Sequence, residues 1–466
     1  MKKFSFVFVL WIALLVVSCG TERTTKTIQW RLTTPDKASL FAPQPELAFH
    51  SDSMPVATIA IDTTKRFQSM DGYGYTLTGG SAQLINALPD STQDKLLREL
   101  FTTEGNDLGI SFLRISIGAS DLDNHVFSYN DLPKGKTDIE LKNFSIQEDE
   151  KYLIPVLKKI LALNPNIKIM GSPWSAPAWM KTNNSPKGGG LKKEYYSAYA
   201  QYFVKYLQSM QSQGVSLHSI TIQNEPENPK NMPSMVMTAA EQAEFVKNHL
   251  GPAFNQANLQ TKIIIFDHNC DHPEYAFEIL GDTAARKFVN GTAFHMYLGE
   301  ISAMSQVHDT HPDKDVYFTE QWTSGDGEFG GDLKWHTLNL MIGAPRNWSK
   351  TVLEWNLAAD PQFNPHTSDG GCDRCLGALT IGADIKRNVS FYIIAHASKF
   401  VRPGALRIQS NMLDELPNVA FQNPDGSKVL LVLNASDAPR NFQLKFDNQY
   451  ANATLSAGAV ATYTWK

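Results

Sequence analysis

Strand-like and helix-like segments alternate eight times between residues 66 and 400, and this alternation restricts the possible fold more than any other feature of the sequence. Short β-branched and aromatic runs predict buried strands, and the longer amphipathic stretches between them predict helices. Eight such units in this length predict an α/β fold, the (β/α)8 TIM barrel, whose functional face is formed by the carboxyl ends of the strands. The predicted strands are Phe67–Thr76, Ile110–Ile117, Ile167–Ser172, Ser219–Asn224, Lys262–Asp267, Ala293–Tyr297, Val316–Glu320 and Val352–Trp355, and the predicted helices include Ser91–Thr102, Glu148–Leu163, Glu194–Gln213, Ala239–Phe254, Leu333–Ile342 and Phe391–Phe400.

A doubly wound open sheet is the competing α/β architecture. Its usual phosphate-binding loop, Gly-x-Gly-x-x-Gly after the first strand, is not formed by Gly72, Gly74, Gly79 and Gly80. The formal net charge of −5 also argues against nucleic acid as a partner. The sequence therefore favours the barrel and predicts no cofactor.

The two ends of the chain predict a second, all-β domain. Short strand-like runs separated by Pro-Asp-Gly, Ser-Asp-Ala-Pro and Asp-Asn turns follow Leu406, which is the pattern of an antiparallel β-sandwich. The N-terminal strands are too few to enclose a core, so we expect them to join the C-terminal sheet. The predicted division is a sandwich built from residues 28–65 and 402–466, packed beside a barrel of residues 66–401.

The first 27 residues predict export. Lys2 and Lys3 precede an apolar run that is too short to span a bilayer, and Ser18-Cys19 ends it as a lipoprotein cleavage site would. Residues 1–18 are thus predicted to be a signal peptide, Cys19 to carry lipid, and residues 19–27 to tether the protein to a bacterial membrane, in the periplasm or at the cell surface. An ordinary signal peptide or a membrane anchor is the alternative.

Two glutamates stand at the ends of the fourth and seventh predicted strands. Glu225 lies just before Pro226, which ends its strand because proline has no backbone N–H, and Glu320 ends Val316–Glu320. Carboxyl groups at these positions can meet across a barrel mouth at about 5–5.5 Å, the separation used for hydrolysis of a glycosidic bond by double displacement. Glu225 is the predicted acid/base, with its pKa raised by burial and by Glu320, and Glu320 is the predicted ionised nucleophile. Asn224 is expected to bind the sugar 2-hydroxyl.

Further polar and aromatic residues are predicted at the same rim. Such residues suit a sugar, whose hydroxyl groups form hydrogen bonds and whose C–H faces pack on aromatic rings. A protein that binds glycans without cleaving them would show the same mixture. The run Asp267–His272 has ligand-type side chains, but we expect sugar contacts there rather than a metal. The rim candidates are Asp71, Tyr73, Arg114, Asp121, Asp123, Trp174, Asp267, His268, His295, Tyr297, Trp322, Trp355 and Asn356.

Three cysteines follow Cys19, so the chain is not a disulfide scaffold. Cys372 and Cys375 could form a local disulfide in an oxidising compartment. A zinc site would need two more ligands, which no second Cys-x-x-Cys supplies.

Several motifs, taken in order, resemble glycoside hydrolase family 30, which includes glucosylceramidases, endo-β-1,6-glucanases and glucuronoxylanases. The resemblance covers nearly all of residues 56–466, and its most specific part is Ser-Pro-Trp-x-x-Pro-x-Trp together with Asn-Glu-Pro. The matching segments are Met70-Asp-Gly-Tyr-Gly74, Gly171-Ser-Pro-Trp-Ser-Ala-Pro-Ala-Trp-Met-Lys181, Gln223-Asn-Glu-Pro226, His295-Met-Tyr297, Phe318-Thr-Glu320, Glu354-Trp-Asn-Leu357 and Phe391–Gly404.

The resemblance implies that Glu225 is the acid/base and Glu320 the nucleophile. It also implies a substrate subsite lined by Asp121, Trp174, Asn224, His295, Tyr297 and Trp355. Leu122 replaces the aromatic residue of glucosylceramidases, and Gly370-Gly-Cys-Asp-Arg-Cys375 is similar to the microbial β-glucanases. We therefore expect a retaining β-glycoside hydrolase with β-1,6-glucan as its favoured substrate. A glucosylceramidase-like β-glucosidase or a β-xylosidase is the alternative within the family, and a non-catalytic glycan-binding lipoprotein is the alternative outside it.

Overall fold

The computed structural model describes residues 27–466, together with residues 1 and 3. The predicted signal peptide, the lipidation site Cys19 and the tether up to residue 26 lie outside the described residues. The chain enters the described part through four strands, β1 (Thr27–Thr33), β2 (Ala42–Pro43), β3 (Leu47–Ala48) and β4 (Ala57–Ser69).

A closed barrel of eight parallel strands follows, so the predicted barrel fold is confirmed. All eight predicted strands are present, although their ends differ by several residues. The barrel strands are β5 (Gly72–Thr76), β6 (Phe112–Ser116), β7 (Lys168–Ser172), β8 (Ser219–Thr221), β9 (Lys262–Cys270), β10 (Val289–Gly299), β11 (Asp315–Glu320) and β13 (Ser349–Asn356), with the short β12 (Thr323–Ser324) before the last.

The barrel interior is filled by large side chains from alternate positions of its strands. Phe112, Met170, Ile264, Ala293, Tyr317 and Leu353 form one buried cluster there, as expected for a packed barrel rather than a pore. Gly74 allows β5 to approach β6 closely, because a Cβ atom at this position would lie 1.9 Å from the carbonyl oxygen of Phe112.

Helices cover the outside of the barrel. The predicted helix Glu148–Leu163 is two helices that meet at Tyr152, and the predicted helix Ala239–Phe254 contains a π-helical turn at Val246–Leu250. A second π-helical turn spans Thr337–Gly343, and 3₁₀ turns span Ala178–Met180 and Lys193–Tyr195. The α-helices are α1 (Gly79–Asn86), α2 (Asp90–Phe101), α3 (Gln147–Lys151), α4 (Leu153–Leu163), α5 (Tyr196–Ser212), α6 (Ala239–Phe245), α7 (Gly251–Gln256), α8 (Glu274–Gly281), α9 (Thr283–Arg286), α10 (Ala303–Thr310), α11 (Phe329–His336), α12 (Ala344–Arg346) and α13 (Val389–Ser398).

The two ends of the chain build one β-sandwich domain around its own apolar core. Strand β1 pairs with the last strand, and β4 pairs with two C-terminal strands, so the N-terminal strands join the C-terminal sheet. The remaining strands are β14 (Ala358–Ala359), β15 (Cys375–Leu376), β16 (Leu379–Ile381) and β17 (Ile385–Arg387) in loops beside the barrel, and β18 (Leu406–Ser410), β19 (Asn418–Gln422), β20 (Lys428–Leu433), β21 (Arg440–Phe446), β22 (Gln449–Leu455) and β23 (Val460–Trp465) in the sandwich.

The boundary between the two domains lies later than predicted at the N-terminal side. Phe67–Ser69 belong to β4 of the sandwich, where Ser69 pairs with Leu406, and the first barrel strand begins at Gly72. Asp71 therefore lies at the amino end of its strand, where Lys168 Nζ donates to its carboxylate at 2.6 Å. This places Asp71 at the opposite end of the barrel from the predicted rim, and its assignment to the rim was wrong.

Buried polar contacts join the barrel to the sandwich. The ring nitrogens of His396 on α13 lie 2.9 Å and 2.8 Å from the hydroxyl oxygens of Thr462 and Thr33. Burial, followed by the charge of Arg31, lowers the pKa of His396 to about 3, so this imidazole is neutral at physiological pH. Among the described residues, no helix has the length and apolar character needed to cross a bilayer.

Candidate active site

Glu225 and Glu320 line one cavity of about 510 Å³ at the carboxyl ends of the barrel strands. Their nearest carboxylate oxygens lie within 4.8 Å of each other. The residues are 7% and 5% exposed, so both carboxyl groups are largely removed from water yet reach the cavity. The sequence prediction that these two glutamates meet is therefore consistent with the structure.

The position of Glu225 depends on backbone contacts outside regular strand pairing. Strand β8 ends at Thr221, and Glu225 has φ +45°, a conformation that residues with side chains adopt rarely. Its N–H donates to the carbonyl of Asp267 at 3.0 Å, and Asn224 N–H donates to that of Pro173 at 2.8 Å. Such backbone strain is commonly retained at functional sites.

Glu320 is held by two donors. Arg114 Nη1 donates to Oε2 at 2.5 Å, and the hydroxyl of Tyr297 donates to Oε1 at 2.9 Å. Burial is the largest influence on the pKa of Glu320 and raises it, with a contribution from the charge of Glu225, while His295 and Arg114 act in the opposite direction.

Asp267 organises the floor of the site and is fully buried. It accepts hydrogen bonds from Arg114 at 2.9 Å and Thr319 at 2.7 Å, and His295 Nε2 lies 3.1 Å away. Its pKa is lowered despite burial, chiefly by the charge of Arg114 and by its contacts with His295 and Thr319. Asp267 therefore positions other groups and does not line the cavity, so the expected sugar contact at this residue was wrong.

His295 lies beneath both catalytic candidates and is completely buried. Its Nδ1 is 3.4 Å from Glu225 Oε1 and 3.7 Å from Glu320 Oε1. Burial lowers the pKa of His295, but Glu320, Asp267 and Glu225 together raise it to about 9. His295 thus does not line the cavity, where the sequence predicted a substrate contact, and instead contacts both glutamates from below.

The protonation of Glu225 differs from the sequence expectation. Burial raises its pKa, but the hydrogen bond and the charge of His295 outweigh burial and lower the pKa to about 2. The imidazole of His295 lies 3.4 Å from Glu225 and is the group that favours the ionised form of this carboxyl. The direction of this pKa shift is opposite to the one predicted from the sequence, and the acid role of Glu225 stays a prediction.

Aromatic rings form the wall on the side of β6, β7 and β13. The rings of Trp174 and Trp355 pack with centroids 5.3 Å apart, and the guanidinium of Arg114 lies 4.8 Å from the centroid of Trp174. Asp121 lines the same wall. Burial, followed by the charges of Glu320 and Glu225, raises the pKa of Asp121 to about 8, so this carboxyl is largely protonated at neutral pH.

Asn224 lies at the base of the site. Its Oδ1 accepts a hydrogen bond from Arg114 at 2.6 Å, and its Nδ2 makes no hydrogen bond to a described residue. This arrangement leaves an amide N–H free for a sugar hydroxyl, although Asn224 itself is nearly buried.

Three other rim candidates are turned away from the cavity. Tyr73 is buried in the main core, Asp123 accepts hydrogen bonds from the backbone and hydroxyl of Ser120, and Asn356 accepts one from Ser81. Arg114 lies below the cavity, where it forms ion pairs with Glu320 and Asp267. The rim candidates that do line the cavity are Asp121, Trp174, His268, Tyr297, Trp322 and Trp355.

A disulfide between Cys372 and Cys375 forms part of the cavity wall. Cys375 is buried against Leu122, Trp174 and Trp355. The strand that contains it, β15, pairs with β12, so the disulfide loop is joined to the segment that follows Glu320. The loop therefore fixes the position of the aromatic wall relative to the candidate nucleophile.

Glu225, His295 and Glu320 form the one group among the described residues whose ligand atoms lie close enough to hold a metal ion. Arg114 already contacts Glu320 at 2.5 Å, and its positive charge opposes a second cation there. His295, with its pKa near 9, is protonated at neutral pH and cannot ligate in that form. We therefore interpret this group as a proton-transfer cluster.

Sequence reasoning missed two groups that contact Glu225. The amides of Asn228 and Asn231 approach Glu225 Oε2 at 2.7 Å and 3.3 Å. Their place three and six residues after Glu225, in a polar loop that begins at Pro226, was the signal that could have found them.

The geometry of this cavity matches one class of chemistry. Two carboxyl groups within reach of the same atom can divide the roles of acid and nucleophile, and adjacent indole rings suit the face of a sugar. Fold and site together define the protein as a glycoside hydrolase.

Comparison with known proteins gives the family. The model of the glycosyl hydrolase family 30 TIM-barrel domain matches residues 70–401, and that of the family 30 beta sandwich domain matches residues 404–463. The chain belongs to glycosyl hydrolase family 30 and is a hydrolase of β-glucosidic bonds.

Relatives of this chain include two kinds of enzyme. It is 35% identical over 425 residues to an endo-1,6-beta-D-glucanase of Neurospora crassa, with 86% of this chain and 85% of that protein covered. It is 28% identical over 438 residues to the lysosomal acid glucosylceramidase of Mus musculus, with 88% and 83% covered. The solved structure of the endo-beta1,6-glucanase BT3312 matches with a TM-score of 0.87 at 31% identity, covering 94% of this chain and 99% of that one.

Proposed function

We propose that this protein cleaves β-1,6-glucan by double displacement, with retention of configuration at the anomeric carbon. The observation that carries the mechanism is the pair of carboxyl groups, Glu225 and Glu320, whose oxygens lie within 4.8 Å across one cavity. Retaining enzymes separate these groups by about 5–5.5 Å, whereas inverting enzymes need about 6.5–9.5 Å to admit a water molecule between them and the sugar. The substrate proposal is supported by similarity to endo-1,6-beta-glucanases.

The first half-reaction forms a covalent intermediate. A carboxylate oxygen of Glu320 attacks the anomeric carbon, the bond to the leaving oxygen breaks, and Glu225 gives its proton to that oxygen. The proton first passes from His295 Nδ1 to Glu225 Oε1, across the 3.4 Å between them. Asp267 stabilises His295 from the opposite ring nitrogen during this transfer.

The second half-reaction releases the sugar. Glu320 is now an ester and carries no charge, and Glu225 is ionised and able to act as a base. Glu225 takes a proton from water, the resulting hydroxyl attacks the anomeric carbon, and the ester bond to Glu320 breaks. The proton then returns from Glu225 to His295, which restores the starting state. Arg114 and Tyr297 donate to the carboxylate of Glu320 as it is restored.

Hydrolysis of glucosylceramide or a simple β-glucoside is the second candidate. It is favoured by the similarity to the mouse glucosylceramidase over 88% of this chain. Both candidates use the same two glutamates and differ in the leaving group.

The test is a substrate screen with the purified protein from residue 20 onward, using β-1,6-glucan, β-1,3-glucan, xylan, 4-nitrophenyl β-glucoside and glucosylceramide. We expect hydrolysis of β-1,6-glucan, with a ladder of oligosaccharides indicating endo action and glucose alone indicating exo action. Nuclear magnetic resonance of the first products should show the β-anomer. An inert β-1,6-glucan contradicts the substrate, and an α-anomer contradicts the mechanism.

Two variants test the assigned roles. Glu320→Gln should abolish turnover while glycan binding remains. Glu225→Gln should retain more activity on 4-nitrophenyl β-glucoside than on glucan, because nitrophenolate leaves without a proton. Equal losses on both substrates contradict the acid role of Glu225.

We also propose that the protein is exported and anchored through a lipid on Cys19. The sequence supports this proposal through the short apolar run that ends at Ser18-Cys19. Metabolic labelling with a palmitate analogue should label the wild type and not Cys19→Ser. Labelling of neither chain, with both secreted in soluble form, contradicts the anchor.

A further inference from the structure

The half of the cavity on the side of β8, β9 and β10 differs from the aromatic half. The loop after Glu225 and the end of β9 supply it, and its side chains are almost all polar or charged. In the barrel, β8, β9 and β10 are consecutive neighbours, whereas Trp174 lies just after β7 and Trp355 belongs to β13. The residues that line this half are Glu227, Asn228, Pro229, Lys230, Asn231, His268, Asn269, Asp271, His272, Tyr297 and Leu298.

The acid candidate lies between the two halves. Glu225 Oε1 is turned towards His295 and Glu320, while Oε2 is turned towards Asn228 and Asn231 in the polar half. A sugar that lies next to Glu320, beside the parts of Trp174 and Trp355 that line the cavity, presents its departing oxygen to Glu225. The leaving group therefore extends from Glu225 into the polar half.

Glu227 is the centre of a group of hydrogen-bonding side chains in this half. His272 Nδ1 lies 3.2 Å from Glu227 Oε2, and His268 Nδ1 lies 3.7 Å from the same oxygen. His272 Nε2 is also 3.7 Å from Asp271. Glu227 and His272 are 38% and 49% exposed at their side chains, so they are available to a ligand.

His268 is the second observation that indicates a ligand. The residue is 8% exposed and lines the cavity, yet its buried Nδ1 has no hydrogen-bond partner among the residues that the structure describes. Buried polar atoms are normally satisfied, and those that are not are often completed by a bound group. The side chain of His268 lines the cavity beside Glu227, so a ligand hydroxyl bound to Glu227 would lie next to this imidazole.

The same half offers little to an aliphatic leaving group. Leu298 is the one aliphatic side chain other than proline among its lining residues, and it is 59% exposed. The leaving group of glucosylceramide has two alkyl chains, which need a continuous apolar surface to leave water favourably. Glu227, Lys230 and Asp271 interrupt any such surface.

We propose that Glu227, His268 and His272 form a subsite for a hydroxyl-bearing sugar on the leaving-group side of the scissile bond. The inference rests on the proposed function and gives it a basis for preferring a glucan over a glycolipid. The carboxylate of Glu227 accepts from sugar hydroxyls, and the two imidazoles can donate or accept according to their tautomers.

The experiment compares two substrates that differ in the leaving group. One is a β-1,6-linked glucotetraose, in which the leaving group of every glycosidic bond is a sugar. The other is 4-nitrophenyl β-glucoside, whose leaving group has no sugar hydroxyls. The variants are Glu227→Ala and His272→Ala, both exposed enough to tolerate truncation. Glu278→Ala on α8 is the matched control, because Glu278 is exposed and does not line the cavity.

We expect kcat/KM for the tetraose to fall at least tenfold in Glu227→Ala and His272→Ala, and kcat/KM for the aryl glucoside to fall less than threefold. The ratio of the two constants should stay at the wild-type value in Glu278→Ala. A ratio of the two kcat/KM values that stays at the wild-type value in Glu227→Ala and His272→Ala, with or without a loss on both substrates, overturns the subsite. Unchanged melting temperatures separate these outcomes from misfolding.

The proposed function can fail separately from the subsite. If the wild type does not cleave the β-1,6-linked tetraose, that substrate is wrong, and the same ratio is measured with the β-1,3- or β-1,4-linked tetraose that it does cleave. A lower ratio of kcat/KM for that tetraose to kcat/KM for the aryl glucoside in Glu227→Ala and His272→Ala supports the subsite. Cleavage of the aryl glucoside alone, or of glucosylceramide as fast as any tetraose, overturns the subsite as well.

Discussion

Replacement of Asp121 by asparagine should stabilise the protein while it reduces activity. Asp121 is 6% exposed, has no described cation as a partner, and lies near the charges of Glu320 and Glu225. Its pKa is raised from 3.8 to about 8 by burial and by these two charges. A buried carboxyl in such surroundings opposes folding, and asparagine has nearly the same shape without an ionisable group.

The magnitude follows from the pKa shift. Between pH 3.8 and about 8 the folded protein holds a proton on Asp121 that the unfolded chain releases, so Asp121 makes the protein less stable as pH rises. At pH 7, roughly three units above the unfolded pKa, the effect is about 4 kcal/mol as an upper bound, at about 1.4 kcal/mol per unit. The difference vanishes below about pH 4, where the carboxyl is protonated in both states.

The assay is differential scanning calorimetry of the wild type and Asp121→Asn at a fixed scan rate from pH 4 to pH 8. With an unfolding entropy of about 2.1 cal/mol/K per residue over about 440 residues, 1 kcal/mol shifts the melting temperature by about 1 °C. We expect equal melting temperatures near pH 4 and a variant that melts up to about 4 °C higher at pH 7. Its kcat/KM should fall, because an NH2 group with two donors replaces the carboxyl hydroxyl, which can both donate to and accept from sugar hydroxyls.

Asp123→Asn is the matched control. Asp123 is equally buried, and burial raises its pKa to about 7, but its Oδ2 accepts hydrogen bonds from Ser120 N and Oγ at 2.7 Å and 2.9 Å. An amide in that place loses part of this bonding, so Asp123→Asn should not gain the stability expected of Asp121→Asn. The reasoning is refuted if Asp121→Asn melts lower than the wild type at pH 7, or if the difference does not depend on pH.

Three further changes test the contacts beneath the cavity and the loop that closes it. His295 has a pKa of about 9, so its contribution to the free energy of unfolding is complete below about pH 6.5 and is lost as pH rises through 9. His295→Asn should remove this pH-dependent loss of stability and should shift the alkaline limb of the kcat/KM profile to lower pH. An unshifted alkaline limb contradicts the proton role of His295. Asp267→Asn should destabilise the protein by about 3–5 kcal/mol, because it removes one partner of the buried pair with Arg114, and a change below about 1 kcal/mol in denaturant unfolding contradicts this. The double variant Cys372→Ser/Cys375→Ser should raise KM more than it lowers kcat, because the wall around Trp174 loses its fixed position. If the variant has the same kcat and KM as the wild type, and dithiothreitol does not change the kinetics of the wild type, the disulfide has no part in the site.

The barrel could be predicted from sequence because each of its strands is a separate buried run with turn or helix signals on both sides. The first strand was the exception. Phe67–Ser69 continue the alternating pattern of β4 without a break, and only the pairing of Ser69 with Leu406, far along the chain, shows that they belong to the sandwich. Asp71 was assigned to the wrong end of the barrel for the same reason.

The two glutamates could be predicted because their order along the barrel fixes their position at the rim. Their protonation could not be predicted in the same way. The pKa of Glu225 depends on His295, which in turn depends on Asp267, and these residues come from three different strand ends. Sequence alone contains no distance between them, so the effect of His295 on the pKa of Glu225 could not be predicted.

The pairing of β1 with β23 has a consequence for the order of events during synthesis. Residues 27–33 leave the ribosome early, yet their partner, residues 460–465, is among the last parts of the given sequence to emerge. The barrel strands, complete by residue 356, can assemble while translation continues. The sandwich core must therefore be completed after translation of its last strand, and a ribosome paused near codon 440 would carry a chain whose strand β1 still lacks its partner β23.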